Sequence, residues 1–252
     1  MRHKTLLLLT LIALFCTPIY AIDPNTHHKH QDMLYPTVQF MGGSGIVIKS
    51  WNEEIIIRDG TKRTKNFAYA ITANHVYTGY QLRSRTKKIL PCRWYNYDEL
   101  GHPIKRITTV GHLVVSDVEL DIAIFKIQTG KNLFPVAKSY FTNQIALFDK
   151  VYSIGYPLGD LRIGVGHITR LPNKSIYLQH DTHIFYGNSG GPLFNKDYEL
   201  IGINVQIVTW NGMPIPYMGK SALLYDIGLF LGEQRMEEYF GNSFKSDINK
   251  EI

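Results

Sequence analysis

From Tyr35 onward, short apolar runs recur along the chain, several alternating with polar positions and most bounded by Gly, Asn or Pro. Alternation of this kind is the mark of strands with one buried face. It places candidate strands at 37–42, 45–50, 68–72, 89–95, 107–115 and 122–127. A polar connector interrupts the series, and a second set follows at 150–155, 163–171, 175–179, 191–195, 200–208 and 215–222. Two sets of six short strands with regular turn signals predict an all-β fold of two barrels. The domain plan is a first barrel over 35–130, a connector over 131–145 and a second barrel over 146–228. The pattern changes near the end: GEQRMEEYF at 232–240 has helical spacing and no breaker, so a C-terminal helix is placed at 229–241. The last residues, 242–252, are polar and expected to fray.

The 252 residues are 44% apolar and 19% charged, the makeup of a globular chain rather than a disordered one. Abundant Tyr and Phe agree with strands. The first 21 residues stand apart. Arg2 and Lys4 precede a short apolar stretch, Leu6 to Phe15, and Ala21 offers a small residue for cleavage. This reads as a secretory signal peptide, with an uncleaved anchor as the alternative. The stretch is shorter than the roughly 20 residues a comfortable span needs, and no second long apolar segment appears. Removing the leader takes away two basic residues and lowers the formal net charge from +6 to +4. Lys62, Arg63 and Lys65, then Arg83, Arg85, Lys87 and Lys88, form basic clusters. No aromatic–basic recognition motif accompanies them, so they read as solvated hairpin ends and nucleic acid is not an expected partner. Cys92 is the one cysteine left after cleavage. It lies among Leu90, Trp94 and Tyr95, so it is expected to be a buried thiol, and no internal disulfide can form. His27, His28 and His30 fall in a polar segment, 22–34, expected to be a flexible N-terminus. No Cys or carboxylate cluster completes a ligand set, so no metal is expected. No glycine-rich phosphate loop with lysine follows a strand, and no cofactor is expected.

The residues that bear chemistry are few. YGNSGGPLF at 186–194 sets Ser189 among glycines. A serine hydroxyl is a weak nucleophile and needs a base, which in turn needs a group to orient it. His75, in AITANHVY, follows an apolar strand and a Thr-Ala-Asn turn. Asp121, in LDIAIFKI, precedes an alternating strand, where a carboxylate can accept from imidazole Nδ1 and fix its tautomer. Asp117 is the rival carboxylate, in a more polar stretch. Gly187 allows close approach of substrate, and the N–H groups of Gly187 and Ser189 are the candidate oxyanion donors. Each piece alone has a plain reading: a glycine-rich hairpin, one of ten histidines, a strand-initiating aspartate.

Together the stretches GSGIVI, TANHV, DIAIFKI, SIGYPLG, GNSGGPLF and LIGIN resemble, in order, the chymotrypsin-like serine peptidases, and in detail their HtrA-like and other bacterial branches. The order His75, Asp121, Ser189 is that of this fold. The resemblance implies two six-stranded antiparallel barrels with the triad in the cleft between them. It also implies hydrolysis of peptide bonds in a protein or peptide substrate.

Three departures qualify the resemblance. Asn188 stands where trypsin-like enzymes carry the aspartate that pairs with a freed N-terminus, so activation of that kind is not expected. The stretch after Ile227 is shorter than the roughly 50 residues of a domain, so no PDZ domain is expected and the chain is expected to act as a monomer. The specificity pocket is unfamiliar: His183 lies six residues before Ser189, where trypsin-like enzymes place an aspartate, and Asn204 stands where glutamyl endopeptidases have histidine. Both are candidate substrate-binding residues. The competing reading is a catalytically silent protein of this fold that binds a partner.

Overall fold

In the computed structural model, residues 29–84, 88–130, 132–172, 176–241 and 244–248 are described. The leader at 1–21, and His27 and His28, lie outside them. Six strands form the first closed barrel: β1 (Thr37–Phe40), β2 (Gly43–Ile56), β3 (Lys62–Ala73), β4 (Ile89–Tyr97), β5 (Pro103–Asp117) and β6 (Ile122–Gln128). Their order around the barrel is β1-β2-β3-β6-β5-β4, and the pairings are antiparallel. Phe40 and Phe125 meet in its interior with centroids 5.4 Å apart, and Tyr77 closes on Phe125 edge-on. Cys92 is fully buried here, and burial raises its thiol pKa.

After β7 (Tyr140–Phe141), a second closed barrel follows: β8 (Lys150–Gly155), β9 (Arg162–Arg170), β10 (Tyr177–His180), β11 (Pro192–Phe194), β12 (Leu200–Trp210) and β13 (Met213–Leu223). Its order is β10-β13-β12-β11-β8-β9. Val151, Ile168, Leu178, Leu193, Ile201 and Leu223 fill it. The all-β architecture of two six-stranded antiparallel barrels is therefore as expected.

The structure differs from the sequence reading at five places. β2 and β3 run well past their apolar cores and pair out to Ile56 and Lys62 as an exposed hairpin. Lys62, Arg63 and Lys65 lie on its solvated end, with Lys62 paired to Glu54 at 3.2 Å. The turn expected after β3 is an eleven-residue helix, α1 (Asn74–Ser84). The run at the end of the second barrel, LYDIGLFL, is a separate helix, α2 (Leu224–Leu231), which precedes α3 (Glu233–Phe240). The tail does not simply fray: β14 (Lys245–Ser246) pairs parallel with β7, and Asp247 is buried. Likewise Met33 and Leu34, inside the segment expected to be flexible, are buried. No helix among the described residues is long and apolar enough to cross a membrane.

Candidate active site

The sequence LDI at 120–122 builds the first half of the site. Asp117 Oδ1 accepts from Leu120 N–H at 2.7 Å and closes the turn, so the rival carboxylate has a local structural task. Asp121 then takes a left-handed conformation, φ 53°, which a short polar side chain tolerates better than most. From there it holds the start of α1 by three bonds. Its carbonyl accepts from Asn74 N–H (3.0 Å), Oδ1 from His75 N–H (2.8 Å) and Oδ2 from the His75 ring at Nδ1 (2.6 Å). A carboxylate over the unsatisfied N–H groups of a helix start is also favoured by the helix dipole. The Asp121 side chain is 15% exposed and that of His75 48%, so the carboxylate is sheltered and the imidazole faces solvent. Nδ1 bonded to a carboxylate leaves Nε2 as the proton acceptor.

The loop carrying Ser189 is held at nearly every peptide. Tyr186 C=O accepts from Leu158 N–H (3.3 Å) and Asn188 N–H donates to Phe185 C=O (3.0 Å). Asn188 C=O accepts from Gly191 N–H (2.9 Å), and Ser189 C=O from Ser44 N–H (2.8 Å). Gly190 N–H donates to Asn204 C=O (2.6 Å), and Asn204 N–H to Gly191 C=O (2.8 Å). Gly187 C=O accepts from the Ser44 hydroxyl (2.7 Å). Among the described residues, the N–H of Tyr186 has no partner, and neither do those of Gly187 and Ser189. The last two are the candidate oxyanion donors. Gly187 has φ 104°, and a Cβ there would lie 2.6 Å from Tyr156 C=O, so conformation and space both require glycine. Ser189 is partly exposed. Ser189 C=O and the Val76 side chain both crowd Gly43, which brings the loop beside the start of α1. Among the described residues His75 bonds through its ring to Asp121 alone, and Ser189 Oγ has no hydrogen-bond partner. Catalytic bonds in unliganded sites are often long or misaligned.

Asn188 is 4% exposed, and its Oδ1 has no partner among the described residues.

The two specificity candidates differ in their setting. His183 is exposed, its ring 5.1 Å from that of Tyr217 at the surface. Asn204 is fully buried. Its amide oxygen accepts from Ser221 Oγ (2.8 Å), and the His180 ring lies 3.0 Å from it at Nε2; its amide nitrogen donates to Pro192 C=O (3.2 Å). Asn204 thus ties β12 to the serine loop from inside the barrel, and its side chain is spent there. His180 is equally buried, with Thr182 Oγ1 at 2.8 Å from Nδ1, and burial pushes its pKa down to about 4, partly opposed by the Asn204 bond. Sequence reading missed both His180 and Ser44. Ser44 did carry a signal: like Ser189, it is a hydroxyl flanked by glycines, at 43–45.

Similarity to known proteins agrees with this geometry. The profile of the trypsin-like peptidase domain matches residues 43–203, which include His75, Asp121 and Ser189. A Pseudomonas putida (strain GB-1) protein named probable periplasmic serine endoprotease DegP-like is 37% identical over 130 residues, 48% of this chain and 26% of its own length. Serine protease Do-like HtrB of Bacillus subtilis (strain 168) is 34% identical over 167 residues, 60% of this chain and 32% of its own. The chain therefore spans a third or less of the length of these relatives. Among solved structures, Deg5 superposes with a TM-score of 0.58 at 21% identity, over 79% of this chain and 88% of Deg5. The HtrA-type protease AlgW with tripeptide gives the same score and identity over 87% of this chain and 65% of its own. These two likenesses establish the fold. A family match over well over half of the chain, laid on two barrels that meet at Ser189, shows that the chain belongs to the trypsin-like peptidase domain family.

Proposed function

We propose that the protein is an exported serine endopeptidase, secreted or periplasmic, acting on protein or peptide substrates. The observation that carries this reading is the pairing of a sheltered Asp121–His75 bond with two unpartnered N–H groups flanking Ser189. In the proposed reaction, Ser189 Oγ attacks the scissile carbonyl while His75 Nε2 takes its proton. The carbonyl oxygen, now negative, receives hydrogen bonds from Gly187 and Ser189 N–H. Collapse breaks the C–N bond, and His75 gives its proton to the leaving amine. Water, deprotonated by His75, then attacks the acyl-enzyme, and the proton returns to Ser189 as the acid product leaves. Asp121 keeps its charge throughout and holds the imidazole in the required tautomer. The periplasmic relatives by name, together with the leader-like first 21 residues, support export.

One observation favours a second reading, a silent protein of this fold that binds a partner: Ser189 Oγ makes no bond to His75. Labelling of the purified protein with a fluorophosphonate separates the two. The peptidase reading expects labelling of the wild type and none of Ser189→Ala or His75→Ala. A folded wild type that does not label would sink it.

A further inference from the structure

We infer that Ser44, on β2 of the first barrel, is a positioning residue for the oxyanion loop: its hydroxyl locks the Gly187 peptide so that the neighbouring N–H groups stay aimed at the reacting carbonyl. This inference rests on the peptidase reading. Ser44 is fully buried, and its N–H, hydroxyl and carbonyl make four hydrogen bonds, three of them to the second barrel. Its N–H donates to Ser189 C=O at 2.8 Å. Its hydroxyl donates to Gly187 C=O at 2.7 Å and accepts from Tyr156 N–H at 2.8 Å. Its carbonyl accepts from Thr72 Oγ1 at 2.6 Å. One residue therefore holds the carbonyls of Gly187 and Ser189, on either side of Asn188.

The need for such a lock follows from the loop's own composition. Gly187 has no side chain to restrict rotation of its flanking peptides, and its φ of 104° is open to glycine alone at little strain. Rotation of the Gly187–Asn188 peptide is resisted at its two ends, by Ser44 Oγ at the carbonyl and by Phe185 C=O at the N–H. Removing the hydroxyl takes a partner from Gly187 C=O, which is part-buried, and from Tyr156 N–H, which is buried. Such a pair is relieved by turning the peptides toward other partners. The N–H groups of Gly187 and Ser189 turn with them. Tyr156 adds a second anchor: its hydroxyl meets that of Tyr97 at 2.9 Å, and its ring stacks on Tyr95 at 5.8 Å. The Ser44–Tyr156 bond thus ties the loop to a rigid aromatic cluster of the first barrel.

The test compares wild type, Ser44→Ala and Ser44→Cys in steady-state hydrolysis of a casein-derived fluorogenic peptide and in binding of a peptide boronic acid, whose adduct oxygen occupies the oxyanion site. Ser44→Ala is expected to lower kcat about 10–100-fold with KM within threefold, since one lost oxyanion donor costs about 10²–10³-fold. Boronate affinity falls in parallel, and the pH profile of kcat/KM keeps its shape. Ser44→Cys, with a weaker donor of similar size, falls between the two and keeps the proposal testable if the alanine variant fails to fold. An unchanged kcat in a folded Ser44 variant, or a rise in KM alone, overturns the positioning role. A wild type with neither turnover nor fluorophosphonate labelling overturns the peptidase reading itself, and this one with it.

Discussion

At the scale of single residues, the site divides into groups that react and groups that hold. Asp121 belongs to the second kind while touching the first, so its amide is the most informative change. Asp121→Asn offers an N–H₂ group where His75 Nδ1 now meets an acceptor, which favours the wrong tautomer; kcat is expected to fall about 10⁴-fold. Steady-state kinetics on the folded variant checks this, and a loss under tenfold would mean that His75 is oriented by something else. His180 is a different case, buried and neutral. Its folded pKa, about 4, lies below the unfolded value of about 6.5. The unfolded chain therefore binds the proton first as pH drops, so the stability His180 contributes is complete above about pH 6.5 and is lost progressively down to about pH 4. Urea midpoints measured from pH 7 to pH 4 are expected to fall over that window in the wild type and to fall less in His180→Gln. Parallel curves would mean that other groups set the acid limb. The sequence made Ser189, His75 and Asp121 legible because each sits in a short motif whose neighbours have few other uses. It left His180 and Ser44 obscure because their significance depends on partners more than 20 residues away: Asn204 and Ser221 for one, Gly187 and Tyr156 for the other.

At the scale of elements, alternation and short apolar runs together found the barrel strands, since some have one face in a core and others, such as β6 and β11, are buried on both. They were weakest where pattern and packing part company. In α1, Val76, Thr78 and Gly79 are poor helix formers, and what holds the helix is tertiary: the three Asp121 bonds at its start. In α2, LYDIGLFL is too short and too uniformly apolar for periodicity to tell helix from strand. In the tail, a two-residue parallel strand has no pattern at all. Its importance comes from Phe141, which is fully buried between the rings of Phe240 at 4.8 Å and Phe244 at 5.1 Å. Tyr140 O–H donates to Asp247 at 2.8 Å, Lys245 pairs with Glu199, and Ile248 packs over Gly228. Ending the chain at Gly241 removes all of these contacts except that of Phe240, and is expected to destabilise the protein by about 2–4 kcal/mol, a fall in Tm of about 5–10 °C for a chain of this size. Thermal unfolding followed by circular dichroism tests this; an unchanged Tm would mean that β14 merely rests on the surface.

At the scale of the whole molecule, the decisive feature is that the Ser189 loop of one barrel is held by the other. The contact is intimate because glycine removes side chains from the seam. A Cβ on Gly43 would lie 2.8 Å from Ser189 C=O, and one on Gly191 3.2 Å from Ser44 Cβ. Gly190 is the tightest point: with φ 83°, a Cβ there would press into Thr72 Oγ1 and Ser44 C=O, and come within 2.7 Å of Ala73 N. Two of these three neighbours are backbone, which cannot swing away. Gly190→Ala must therefore shift β2 and β3 away from the serine loop as a body. Each barrel keeps its own closed hydrogen bonding, so the expected result is uneven: far-UV circular dichroism close to wild type, and fluorophosphonate labelling reduced at least a hundredfold. Trimming the side-chain neighbour tests the reasoning further. Gly190→Ala combined with Thr72→Ala relieves the contact with Oγ1 and leaves both backbone contacts, so labelling is expected to stay low. Recovery of labelling in the double variant would show that the seam yields at its side chains, and that the register between the barrels is set elsewhere.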